Sequence, residues 1–319
     1  MDTVLYLVRR LLQALAVILI VTIVVFCLLH ALPGGPARGI LGPQATAGQI
    51  AAFNHEQGLD RSLPVQYVLY LRELVQGDLG TSYTLNEAVS RLIEQRLPKT
   101  LVLTVLSAMV GLVLAVPLGM WQAVRRNKPT DYVITTLSFV AYSTPVYFLG
   151  LLLILLFTQV LRWFPSQAPQ GDTLGQVLAD PAGLVLPVVT GAASMVAVFS
   201  RYMRGATLEN LSEDYVRTAR AGGAGQYAVL FRHVFRNSLT PVVAMLGYYV
   251  PVLFGGALVV EQLFNYPGMG LLFWSAAQSS DYPVLLGCVL VISVATVAGT
   301  LLADVVQRVV DPRVKEGRA

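Results

Sequence analysis

Few residues in this chain could do chemistry. The three histidines, His30, His55 and His233, form no ligand cluster in sequence, and Cys27 and Cys288 both sit inside apolar runs. Neither a metal site nor a structural disulfide is expected, and the thiols read as small core residues. A phosphate cradle of the form Gly-x-x-x-x-Gly-Lys-Ser/Thr needs a Gly-Lys pair, because backbone amides and the lysine together hold the phosphate charge. Here Lys99, Lys128 and Lys315 follow Pro98, Asn127 and Val314, so nucleotide is not held in that way. No His-Glu-x-x-His or Gly-x-Ser-x-Gly is present either, which argues against a membrane-embedded hydrolase. An ion-coupled carrier tends to bury carboxylates in mid-membrane. Asp131, Glu261, Asp281 and Asp304 fall instead near the ends of apolar runs.

What remains is a basic stretch from about Arg201 to Pro241, including Glu213-Asp214-Tyr215-Val216-Arg217-Thr218-Ala219-Arg220-Ala221-Gly222-Gly223 and Phe231-Arg232-His233-Val234-Phe235-Arg236-Asn237. Asn210 or Ser212 can cap a short helix, Glu213 precedes Arg217 in the favourable order for an i,i+4 ion pair, and the glycines should stop it. Beyond them Tyr227, Leu230, Phe231 and Val234 fall at i, i+3, i+4, i+7, with Arg232 and Arg236 on the other side. The pattern predicts a helix, a glycine hinge and a second amphipathic helix, a rigid knob offered to a partner. A solvated loop whose arginines only hold the topology fits the same periodicity.

Tyr215-Val-Arg217-Thr-Ala219-Arg220-Ala-x-Gly223, followed by Arg232-His233-x-x-Arg236-Asn237 and Pro241, resembles the cytoplasmic EAA loop of binding-protein-dependent ABC import permeases. More narrowly it is similar to the B-type permease of dipeptide, oligopeptide and nickel importers. Against the general pattern only Ala219 and Gly223 match strictly; the peptide-permease version matches at more positions, with Gly222 where a lysine is usual. The resemblance implies an all-α polytopic protein of the type I ABC importer permease fold, with six transmembrane helices and a cytoplasmic coupling loop. It implies that Glu213, Asp214, Tyr215, Arg217, Thr218, Ala219, Arg220 and Gly223 meet a cytoplasmic ATPase subunit, Ala219 permitting close approach and Gly223 setting the turn. Arg232, His233 and Arg236 serve either that subunit or the junction with the fifth span. ATP and Mg would then belong to partner subunits, with no cofactor in this chain. Further partners implied are a homologous second permease forming a heterodimer and an extracytoplasmic solute-binding protein, in the cytoplasmic (inner) membrane of a bacterium.

The elements that position this loop are apolar. The 319 residues are 55% hydrophobic and 13% charged, with a mean hydropathy of +0.64, far from the roughly one-quarter charged share of soluble domains. Arg9-Arg10 precede an apolar run from Leu11 to about Leu32, too long for a signal-peptide core and read as a retained first span, closed by Pro33-Gly34-Gly35-Pro36. Further spans are expected at about 100–123, 132–160, 184–203, 239–260 and 283–306, the third interrupted at Ser143-Thr144-Pro145. The domains expected are an amino-terminal segment with the first span (1–32), an external segment (33–99) with turns at Gly58 and Gly77, a permease core (100–306) holding the coupling loop 205–238, and a basic tail (307–319).

With both termini inside, 15 of the 22 Lys and Arg lie on the inner side, giving +7 inside and −3 outside against a net charge of +4. The positive-inside rule accounts for the basicity, and nucleic acid is not needed to explain it. Tyr142, Ser143, Pro145, Tyr147, Tyr248, Tyr249 and Phe254 are candidates for a solute pathway, with helix packing as the alternative reading. External loops near 163–183 and 264–281 are candidates for contact with the binding protein. Short peptides are the expected solute; nickel, glutathione or another small solute is the alternative within the family, and an autonomous carrier or channel the more distant one.

Overall fold

The computed structural model describes residues 3–31, 35–42 and 44–310, with backbone alone for 3–7, 248 and 302–310. Pro33, Gly34 and the tail residues Arg313, Lys315 and Arg318 lie outside the described residues, as does the side chain of Arg308. The helices are α1 (Thr3–His30), α2 (Gly35–Leu41), α3 (Ala47–Glu56), α4 (Leu63–Val75), α5 (Val89–Val124), α6 (Pro129–Ser143), α7 (Val146–Leu153), α8 (Leu174–Leu178), α9 (Pro181–Ser212), α10 (Asp214–Ala221), α11 (Gln226–Ala228), α12 (Phe235–Leu263), α13 (Met269–Ser279) and α14 (Tyr282–Val310). Two π-helical stretches, Ile154–Val160 and Val229–Val234, follow α7 and α11. Among the described residues the only β pairing is an isolated bridge between Thr81 and Ala88.

Among the described residues four helices are long and apolar enough to cross a membrane: Val8–His30, Val89–Val124, Pro181–Ser212 and Tyr282–Leu301. Two bent pairs, Pro129–Ser143 with Val146–Val160 and Gln226–Gly247 with Tyr249–Leu263, bring the number to six if each pair makes one crossing. The pair expected as the third span is broken more sharply than a kink, with 109° between its halves, the geometry of a broken span or of a re-entrant loop. Pro145 supplies no N–H and disfavours helix at Thr144, which turns extended (ψ 125°), while the Thr144 hydroxyl donates to the Val140 carbonyl at 2.7 Å. The second crossing helix starts at Val89 and not near Thr100. Val89, Leu92 and Ile93 are buried at i, i+3, i+4, so a short amphipathic prelude runs into the apolar span without a stop signal.

The chain divides into two compact units. The first comprises Met1–Thr100, Gly171–Gly175 and Pro267–Val297. Its core gathers Phe26, Leu29, Leu92, Met269, Tyr282 and Leu285. The external segment joins this core through helices; α3 begins with a capping box in which Thr46 and Gln49 exchange side-chain and backbone bonds, and Gly58 and Gly77 turn the chain at positive φ. Asp281, 1% exposed, accepts from the Ser82 and Thr84 hydroxyls at 2.6 and 2.7 Å and from the Thr84 and Tyr83 amides at 3.1 and 3.2 Å. Four donors stabilise a carboxylate charge that burial would otherwise penalise. Burial, and then the Asp281 charge, push the Tyr83 phenol up to about 12. The expected external loop 264–281 is mostly helical: Phe264, Tyr266, Met269 and Gly270 are buried, and α13 occupies most of the rest with Trp274 on its exposed side.

The second unit comprises Leu101–Gln170, Gln176–Tyr266 and Ala298–Ala319. Asp180 caps α9 by accepting from the Gly183 amide, with Pro181 in the first turn. Its long buried face carries Met195, Phe199 and Met203, which pack with Ala115, Met120 and Val242. At Gly119 any side chain would strike the Ser200 carbonyl and Met203, so a glycine is what lets α5 and α9 close on each other there.

Candidate functional site

The arginine-rich stretch folds as a bent elbow between α9 and α12. Glu213 breaks the first helix by turning extended (φ −69°, ψ 150°), and α10 starts behind it. Neither expected cap forms: the Ser212 hydroxyl donates to Glu209 O, and Asn210 donates to Ala206 O while accepting from the Tyr215 hydroxyl at 2.6 Å. The expected Glu213–Arg217 pair is replaced by Asp214–Arg217 at 3.2 Å, three residues apart and largely exposed. The helix does stop at the glycines. Gly222 occupies the cap, Gly223 adopts φ +84°, and the Ala224 amide closes onto Ala219 O at 3.1 Å.

Beyond the hinge the structure departs from the 3.6-residue pattern. After one short turn of α11 the backbone widens into the π stretch Val229–Val234. Val229 and Val234, five apart, are buried at 1% and 0%, as one wide turn requires, whereas Tyr227 and Phe231 are exposed. These two valines meet Val216 of α10 in a small core edged by Leu211, Tyr215, Ala219 and Ala224. The elbow is therefore packed from within. Tyr215 and Ala219 are turned toward this core, while Glu213, Asp214, Arg217, Thr218 and Arg220 form the outer surface of the first arm, Gly223 is exposed at the bend, and Arg232 and Arg236 are exposed beyond it with His233 half-buried.

A buried ion pair sits just before the elbow. Arg204 of α9 holds Asp131 of α6 with two parallel bonds of 2.9 and 2.8 Å, and the Asn127 amide donates to the same carboxylate at 3.1 Å. One turn earlier the Arg201 guanidinium lies over the Tyr142 ring at 5.3 Å.

The pathway candidates lie on α6, on α7, at the break between them, and on α12. Tyr142, Ser143, Pro145 and Tyr147 cluster at the break in the third crossing and are exposed, Phe254 is half-buried on α12, and the Tyr248 side chain lies outside the described residues. Tyr249 packs edge-on against Phe199 and borders a cavity of about 70 Å³ also lined by Thr104, Ser107, Ser194, Leu253 and Gly256. At roughly 30 Å³ per water in the liquid, that space suits a couple of waters and not a peptide.

Two family models match the chain. Residues 115–316 fit the binding-protein-dependent transport system inner membrane component, and residues 3–104 fit the amino-terminal region of the corresponding membrane components. The chain belongs to this family. The permease is 38% identical over 314 residues to a putative peptide permease protein of Brucella ovis, covering 97% of this chain and 98% of that one. It is 37% identical over 312 residues to the oligopeptide transport system permease AppB of Bacillus subtilis (97% and 99%), and 38% identical over 311 residues to the glutathione transport system permease GsiC of Salmonella choleraesuis (97% and 98%).

Sequence reasoning missed one feature beside the permease's elbow and one within it. The Asp131–Arg204 pair spans 73 positions, and only the oddity of an acid at the start of an apolar helix pointed to it. The outward turn of Tyr227 and Phe231 was hidden because a π stretch leaves no mark in hydrophobic spacing.

Proposed function

We propose that this chain forms one half of the translocation pathway of an ABC importer for short peptides. ATPase subunits dock on the elbow and their closure swings the spans between inward- and outward-facing states. The observation that carries the reading is the elbow itself: a unit held by its own three-valine core, presenting Asp214, Arg217, Thr218 and Arg220 outward, so that force on that face reaches α9 and α12 as on a solid body. ATP and Mg sit on the partner subunits, a homologous permease completes the pathway, and both termini lie in the cytoplasm, as the charge distribution favours. The names of the relatives support the solute class, glutathione being itself a short peptide.

The test is co-expression with the cognate second permease and ATPase subunits. The double variant R217E/R220E should lose ATPase subunits on purification and abolish binding-protein-stimulated hydrolysis, while the permease pair stays assembled. Retention of full stimulated hydrolysis by that variant would sink the docking assignment. Transport by the purified chain alone, without nucleotide, would favour the autonomous carrier.

A further inference from the structure

A cavity of about 540 Å³ opens between the end of α5 and the far arm of the elbow. Its apolar walls include Met120, Trp121, Tyr227 and Phe231, and Arg125 and Lys128 stand on its rim. Trp121, Tyr227 and Phe231 are 47%, 81% and 60% exposed, an unusual amount of aromatic surface for one spot. Neither rim cation has a side-chain partner among the described residues, and the nearest acid in sequence, Asp131, is already held by Arg204. The cavity also begins where the apolar helix Val89–Val124 ends, the level at which a span leaves hydrocarbon for headgroups.

We infer that this cavity binds an anionic phospholipid of the membrane, its phosphate between Arg125 and Lys128 and an acyl chain along Trp121, Tyr227 and Phe231. Two unpaired cations beside a slot walled by Trp121, Tyr227 and Phe231, with Gln226 also lining it, offer that amphiphile a site for its charge and a surface for its chain. Trp and Tyr are the side chains enriched at this depth, and basic pockets beside cytoplasmic span ends collect acidic headgroups. A lipid in this place touches the elbow directly, so membrane composition reaches the coupling surface. Assignment to the cytoplasmic leaflet rests on the topology proposed above; retention of the lipid is read without it.

The experiment is native mass spectrometry of the assembled transporter from nanodiscs containing phosphatidylglycerol or cardiolipin, with phosphatidylcholine discs as control. The wild type should retain anionic lipid, R125Q/K128Q should retain at least five-fold less, and R126Q, which alters a neighbouring charge outside the cavity, should change retention less than two-fold. Equal loss in R126Q, or no retention by the wild type, overturns the site. Because these substitutions could also weaken assembly, Tyr227 is separately replaced by photoreactive p-benzoylphenylalanine in intact membranes. Adducts to lipid are expected; adducts to an ATPase subunit alone would show that a protein covers the cavity and would overturn the proposal.

Discussion

Removing Arg204 should cost more than removing Asp131, although both changes break the same ion pair. The carboxylate side chain is 4% exposed and the guanidinium side chain 29%. In Arg204→Ala the Asp131 charge stays buried with the Asn127 amide still donating to it, and stripping one partner from a buried pair costs about 3–5 kcal/mol. In Asp131→Ala the long guanidinium can turn toward water, so roughly 1–3 kcal/mol is expected, mainly lost hydrogen bonds and the uncapped Asn127 amide. The double variant should cost less than the two singles together, with a coupling of about 1–3 kcal/mol. Unfolding midpoints in mixed detergent and dodecyl sulfate micelles measure all four states. Equal costs for the two single changes, or simple additivity in the double, would refute the reasoning.

Val216→Ala removes two methyl groups from the elbow core and should loosen it by roughly 2 kcal/mol, seen as faster amide exchange over 216–224; Arg217→Ala, on the outer face, should leave that exchange unchanged. Gly223→Ala meets no atom within 4 Å, so its penalty is backbone strain at φ +84° alone, about 1–2 kcal/mol, and Gly223→Asn should recover part of it in the same exchange measurement. Asp281→Asn turns an acceptor into a donor facing at least one fixed donor, costing about 2–4 kcal/mol, and should expose segment 80–88 to protease. In that variant the Tyr83 phenol loses a nearby negative charge and should titrate below its present value near 12, followed by difference absorbance against Tyr83→Phe.

The spans and the glycine stop of the elbow were legible because they rest on local rules: apolar length, and the ease with which Gly223 takes a positive φ. The caps were not. Ser212 and Asn210 found carbonyls within their own helix and left Glu213 to break it by backbone conformation alone, a choice among nearly equal local bonds that composition does not decide. Periodicity put Tyr227 and Phe231 on a buried face because it presumes 3.6 residues per turn, whereas the wide turn at Val229–Val234 places valines five apart on one side. The segment 264–281 looked like loop because glycine and proline punctuate it, yet Phe264, Tyr266, Met269 and Leu272 are core. Asp281 shows the general limit: its four donors lie some 200 positions away.

The rupture of the third crossing bears on what can surround this subunit. Where the peptide chain leaves the helix, the Thr144 amide still donates to the Val140 carbonyl, but Pro145 has no N–H to give the Ala141 carbonyl, and hydrocarbon offers no substitute. The hydroxyl of Thr144 only adds a second bond to that same Val140 carbonyl. The surface bearing Tyr142, Ser143, Pro145 and Tyr147 is therefore a poor one to present to acyl chains, and its polar groups are better served by water or by a neighbouring polypeptide.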